Sequence, residues 1–179
     1  MTAQMKRRWL LIAALVVGSL LVVLTMRNAD DGAFFTGYGD MPKIISRRVG
    51  APAQDVIVEA TNKKGDFIFV SYRMVGDGTP RLAHYRIRQR QTLLRGGRVV
   101  DFLGEFTRHD SVDFAVSTYL DMTVLTVWGD NSQSTVSSVN FRLDHATVET
   151  KLPYTGHFIE PFVYVQNADA VEDIQLLRE

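Results

Sequence analysis

The chain has 179 residues, 46% of them hydrophobic, and its 20 Lys and Arg are balanced by 20 Asp and Glu. It contains no cysteine, which excludes a disulfide framework and thiolate chemistry. The charge is uneven: Lys6, Arg7, Arg8 and Arg27 lie near the start, leaving 16 cations against 20 acids in residues 28–179, a net of −4 that argues against nucleic-acid binding by bulk charge.

The first predicted element is Trp9–Met26, eighteen residues without a charged side chain. As a helix it spans roughly 27 Å, close to the ~30 Å hydrocarbon thickness of a bilayer. Its polar residues, Ser19 and Thr25, can bond to carbonyls of their own helix. Trp9 stands at the boundary, where an amphipathic ring suits the headgroup region, and the Lys6-Arg7-Arg8 cluster keeps the short N-terminal side, residues 1–8, in the cytoplasm. The lipid bilayer is thus the first expected partner, and the rest of the chain is expected outside the cytoplasm. Two other readings compete. A cleaved signal peptide shares the positive start, but Leu24-Thr25-Met26 and Met26-Arg27-Asn28 lack the small residues expected at a cut. A buried helix apolar on every face needs a larger core than this length provides.

Residues 27–41 are rich in Gly and Asp and read as a tether, in which Phe34, Phe35 and Tyr38 either fold back on the domain or dip into the interface. The domain is expected over 42–179. A short helix fits Pro42 to Gly50, with Pro in its first turn and Gly as its stop. From Asp55 onward, short apolar runs alternate with turns. Asp55–Ala60 and Asp66–Val75 are strands joined at Asn62-Lys63-Lys64-Gly65. The second is apolar on both faces (Phe67 and Phe69 against Ile68, Val70 and Tyr72), as in a central strand covered on both sides. Gly76–Pro80 marks a hairpin to Arg81–Arg90, and Gly96-Gly97 leads to Arg98–Phe106. Val112–Tyr119, Met122–Trp128, Thr135–Leu143, Ala146–Lys151, Phe158–Val165 and Val171–Leu177 continue the series. This rhythm predicts a mainly β domain, an antiparallel β-sandwich or a barrel, with one short helix.

Motifs for catalysis are scarce, and the sequence points away from an enzyme: no catalytic residue, metal ligand set or cofactor is assigned. His84, His109, His145 and His157 are not spaced as metal ligands, and His109-Asp110 and Asp144-His145 are neighbours that point to opposite faces of a strand. Asp130–Ser134 supplies oxygen ligands, but Thr135 and Phe141 stand where a helix–loop–helix calcium loop needs Gly and Glu, so an Asx turn is the ordinary explanation. No Gly-x-Ser-x-Gly elbow exists, and Gly76-Asp77-Gly78 and Gly96-Gly97 lack the following helix of a phosphate loop. Carboxylate pairs such as Glu105 with Asp110, or Asp113 with Asp121, are of the kind that arises by chance among twenty acids.

The one candidate binding feature is a basic stripe. His84, Arg86, Arg88 and Arg90 share one face of their strand by the period-2 rule, while Tyr85 and Ile87 take the other, and Arg95 and Arg98 lie just beyond the next turn. Arg contacts phosphate bidentately, so the stripe suits anionic lipid headgroups or a phosphate-rich envelope polymer. The plainer explanation is an edge strand whose solvent face carries charge against edge-to-edge aggregation.

The layout of anchor, short helix, apolar strand like Asp66–Tyr72, aromatic-centred strand like Phe158–Val165 and terminal strand like Val171–Leu177 resembles small uncharacterised membrane-anchored ectodomain proteins of Gram-positive bacteria. The resemblance implies a cell-membrane location and a mainly β domain, and no activity. The expected function is a non-catalytic binding or scaffold module on a single-pass anchor, engaging a protein partner or an envelope component. The alternative is an accessory or sensor subunit working through the anchor helix. An envelope hydrolase has the least support.

Overall fold

The computed structural model describes residues 18–19, 33–90, 97–119, 122–143, 146–152, 155–165 and 171–178. The chain divides into two units, Met1–Gly32 and Ala33–Glu179, and the architecture below belongs to the second. Among the described residues no helix is long and apolar enough to cross a membrane. The anchor expected at Trp9–Met26 lies outside them except for Gly18 and Ser19, which are helical.

The second unit is mainly β and antiparallel, with one short helix. It begins before residue 42. β1 (Ala33–Phe34) pairs with β5 (Gly97–Thr107) through Ala33↔Val100 and Phe34↔Val99. Phe35 is buried at 8% exposure, whereas Phe34 and Tyr38 remain exposed at 57% and 45%. Residues 33–41 therefore belong to the fold and not to a tether, because burying Phe35 brings its flanking backbone onto the sheet. Asp40 secures the turn that follows, accepting the Thr36 amide and hydroxyl, each at 2.7 Å. The Thr36 hydroxyl and amide hold the Asp40 carboxyl below its ordinary range. Helix α1 (Met41–Val49) then runs to Gly50, whose φ of 72° provides a left-handed stop. Met41, Ile44 and Ile45 form its buried face.

Three sheets stack beyond the helix. The first has the order β1-β5-β4-β3-β2, with β2 spanning Val56–Lys64, β3 Phe67–Met74 and β4 Asp77–Arg90. The second has the order β10-β7-β6, where β6 is Val112–Tyr119, β7 Met122–Asp130 and β10 His157–Val165. The third has the order β11-β8-β9, where β8 is Ser138–Leu143, β9 Ala146–Lys151 and β11 Val171–Leu177. One apolar cluster joins α1 to the first sheet through Ile45, Ile68, Val70 and Tyr72. A second, with Phe67, Phe69, Val124 and Trp128, fills the space between the first and second sheets. A third, with Leu125, Val127, Val139 and Phe141, joins the second sheet to the third. The two-sided apolar pattern of β3 is thus used as its sequence requires, and β7 is buried on both faces in the same way. The expected sandwich has a third sheet that the strand rhythm did not distinguish.

The hairpins are tighter than their turn residues imply. Lys64↔Phe67 and Met74↔Asp77 leave two-residue loops, Gly65-Asp66 and Val75-Gly76, with Gly65 and Gly76 at positive φ. Pro80 lies inside β4, in the irregular stretch between the Tyr72↔Arg81 and Met74↔Asp77 pairs, where a missing N–H is tolerated. Along the edge of the second sheet, the Asn62 side chain donates to the Ile159 carbonyl at 2.6 Å and Lys64 Nζ to the Pro161 carbonyl at 2.8 Å, so β2 side chains occupy acceptors of edge strand β10.

Gly129 closes the start of the second sheet. Its φ is 154°, and a Cβ there would come within 2.2 Å of the Ser111 carbonyl oxygen and 2.8 Å of Val112 Cα. Both neighbours are backbone and cannot swing aside. Gly129→Ala is expected to lower the unfolding free energy by more than about 2 kcal/mol in denaturant titration, whereas Gly78→Ala, with nothing within 4 Å of its Cβ, should leave it nearly unchanged.

Candidate functional site

The far end of the first sheet is built by the two longest strands. β4 has 14 residues and β5 has 11, and one face of each turns toward the second sheet while the other turns toward α1. Successive side chains of β4 divide between these faces. His84 meets the second sheet, and Arg86 follows it on the same side, its guanidinium 6.0 Å from the Phe67 ring. Tyr85 and Ile87 pack in the cluster under α1.

Of the basic stripe, His84, Arg86 and Arg88 are therefore cofacial, but they do not share an environment. His84 is 0% exposed. Its Nδ1 lies 3.2 Å from the Ser117 hydroxyl and 3.3 Å from the Tyr119 hydroxyl, and its Nε2 lies 3.4 Å from the Thr126 hydroxyl. The Phe69 and Phe106 rings stand 4.9 and 5.0 Å away. Burial pushes its pKa down to about 3, so the imidazole is neutral at physiological pH. His84 is thus a correction to the stripe as a ligand surface: it is an interior group, because the second sheet covers this part of the face. Arg86 is half-buried and Arg88 exposed. Arg88 holds Asp101 with two bonds, Nε to Oδ2 at 2.8 Å and Nη2 to Oδ1 at 3.2 Å. Arg90 ends the strand opposite Gly97. β4 is also no edge strand, since β3 and β5 flank it, so edge protection does not account for its charges.

The Ser117–His84 contact has the distance of a nucleophile and its base. The second nitrogen faces Thr126 and not a carboxylate, so no acid orients the ring or stabilises an imidazolium. The other pairs considered from sequence separate in space. Glu105 belongs to a network under α1, in which Arg48 donates to Glu105 and, at 2.8 Å, to the Tyr72 hydroxyl, while Tyr72 donates to Glu105. Arg48 also lies 4.2 Å from the Phe102 ring centroid. Asp110 is exposed, with Arg178 at 3.9 Å. Asp113 accepts the amides of His109 and Phe114. Asp121, Asp144, His145 and Arg95 lie outside the described residues. In the Asp130–Ser134 loop, Ser132 donates its amide and hydroxyl to Asp130, and Asn131 bonds both ways to Val136, donating to its carbonyl at 2.8 Å and accepting its amide at 3.2 Å. These are the bonds of an Asx-type turn. Among the described residues, no three His, Asp or Glu converge as a metal would need.

Two arrangements escaped the sequence reading. His157 Nδ1 stands 3.9 Å from Glu59, and its Nε2 stands 4.0 Å from Asp130, linking β2 to the second sheet. Glu59 sits at the register shift in β2, where it also meets Arg73 at 3.1 Å and the Ser71 hydroxyl at 3.2 Å. Four separate strands supply this group, so no spacing announces it. The second is a depression of about 270 Å³ lined by Lys63, Asp66, Ile87, Gln89 and Arg98. Its lining alternates with the stripe along β4 and therefore opens on the opposite face.

No family model, curated protein or solved structure gives a significant match to the chain.

The buried imidazole makes stability depend on acid. His84 has an unfolded pKa near 6.5, so acidification protonates the unfolded chain first. The stability contributed by neutral His84 is complete above about pH 6.5 and is lost progressively as pH falls toward about 3. Between pH 6.5 and 5 the loss is on the order of 2 kcal/mol. His84→Leu should remove that part of the slope in urea titrations at the two pH values, while the wild type retains it. Equal slopes would place the proton-sensitive group elsewhere.

Proposed function

We propose that this chain is a single-pass, membrane-anchored protein whose β domain, Ala33–Glu179, works outside the cytoplasm as a non-catalytic binding or scaffold module. The observation that carries the reading is the uncharged Trp9–Met26 stretch behind Lys6-Arg7-Arg8. Burying such a run in lipid removes from water a surface that a domain of this size has little room to cover. The excess of cations on the short side retains that side in the cytoplasm and exports the remainder.

Two features of the domain support a binding module over a catalyst. The one Ser–His contact described above is buried and lacks an orienting acid. This end of the first sheet carries cations on both faces, Arg86 and Arg88 on one and Lys63 and Arg98 on the other, a polarity suited to anionic envelope components. In this reading that end of the sheet meets the partner.

Cell fractionation followed by protease treatment of intact cells tests the placement. The full-length chain is expected in the high-speed pellet, resistant to carbonate wash and released by detergent, with its C-terminal domain digested while a cytoplasmic marker survives. Recovery in the detergent-free supernatant overturns the reading. Protection of the domain in intact cells overturns its orientation.

A further inference from the structure

The helix-side depression at the end of the first sheet has a composition that neither structural need nor the Arg stripe explains. We propose that it binds a singly charged phosphate ester. Three strands or their turns supply it: Lys63 from the end of β2, Gln89 and Ile87 from β4, and Arg98 from β5, with Asp66 in the β2–β3 turn. Among the described residues neither Lys63 nor Arg98 has an acidic partner at ion-pair distance, unlike Arg48, Arg73, Arg81, Arg88 and Arg142 in the same unit. Two cations left unpaired in one concavity, against the single carboxylate of Asp66, give the lining a net charge of +1.

The donor set fits a phosphate ester better than a bare ion. Arg98 offers a planar fork and Lys63 a compact ammonium, the two usual ways of holding phosphate oxygens. Gln89 brings both a donor and an acceptor, so its carbonyl can take a hydroxyl of the organic part. Ile87 adds an apolar side chain to the lining, and its amide is already engaged by the Asp66 carbonyl at 2.6 Å. A volume of about 270 Å³ falls just below the ~300–1,000 Å³ typical of drug-sized ligands, which suits one headgroup or one small phosphorylated polyol. Arg98 also lies beside the start of the folded unit: its carbonyl accepts the Phe35 amide at 3.0 Å, and the exposed Phe34 ring packs at 3.4 Å against the Cβ position of Gly97. In sequence, Arg27–Gly32 are all that separate Ala33 from the apolar stretch.

The inference rests on the binding-module reading for its cellular meaning, but the measurement does not. Calorimetry on the full chain in non-ionic micelles would compare inorganic phosphate, glycerophosphoglycerol, dioctanoyl phosphatidylglycerol and dioctanoyl phosphatidylcholine. Glycerophosphoglycerol is expected to bind, and Lys63→Glu with Arg98→Glu to weaken it at least tenfold. Lys151→Glu, on β9 of the third sheet, should change it less than twofold. If charge reversal lowers the melting temperature, Lys63→Gln and Arg98→Gln keep the test clean, each expected to weaken binding severalfold. Tighter binding of the phosphatidylglycerol than of its free headgroup identifies a lipid source, and equal binding identifies the soluble ester as sufficient. Both outcomes support the site. No heat with either ester, binding of inorganic phosphate alone, unchanged affinity in the Lys63/Arg98 variants, or an equal loss in the Lys151 variant overturns it. Failure here leaves the fractionation result standing, and failure of fractionation leaves the affinity standing.

Discussion

A layer can bury only as much of its neighbour as it covers, and that mismatch organises this molecule. β4 runs for 14 residues and β7 for 9, a difference of roughly 15 Å at about 3.3 Å per residue. Where the sheets overlap, Phe69, Leu82, Val124 and Trp128 form an apolar cluster, and buried His84 lies against the Phe69 and Phe106 rings and three hydroxyls. Beyond His84 the same strand face turns to half-buried Arg86 and exposed Arg88. The register shift between His84 and Tyr85 in the β4–β5 pairing falls near this transition, and bulges of this kind sharpen the local twist. The charge of Arg86 and Arg88 on this face thus begins where burial ends.

Much of this was legible in the chain. The alternation of Phe67, Phe69 and Ile68, Val70, Tyr72 announced a strand with two buried faces, and Pro42 and Gly50 bracketed α1 to within a residue. The near-continuous apolar run Met122–Trp128 carried the same two-faced message for β7. Sheet membership was not legible. Strands of the second and third sheets have similar composition, and only the packing of Leu125 and Val127 against Val139 and Phe141 separates them. Turn residues misled locally. Gly78 and Pro80 look like a loop but extend β4, because the actual reversal needs only Val75 and Gly76.

The candidate site was half visible for a related reason. Period two gives the face a side chain shares but not what lies above it, so His84 grouped with arginines that its own burial separates from it. The depression was hidden because Lys63 read as a turn residue and Arg98 as an appendage of the stripe. Only the antiparallel register, Gln89↔Arg98 in one pair and Lys63↔Ile68 in another, brings them to one side of the sheet. The interior polar group at His84 shows the opposite economy: three hydroxyls and two aromatic rings hold a neutral imidazole where a charged one would be costly.

The side chains of Asn62 and Lys64 fill the place of a missing strand beside β10. A foreign peptide seeking to extend the second sheet there would first have to displace an amide from the Ile159 carbonyl and an ammonium from that of Pro161, and Pro161 offers no N–H in return. Copies of this domain crowded together are thereby discouraged from zipping edge to edge along that margin, and the rivet that joins two layers of one molecule also keeps neighbouring molecules apart.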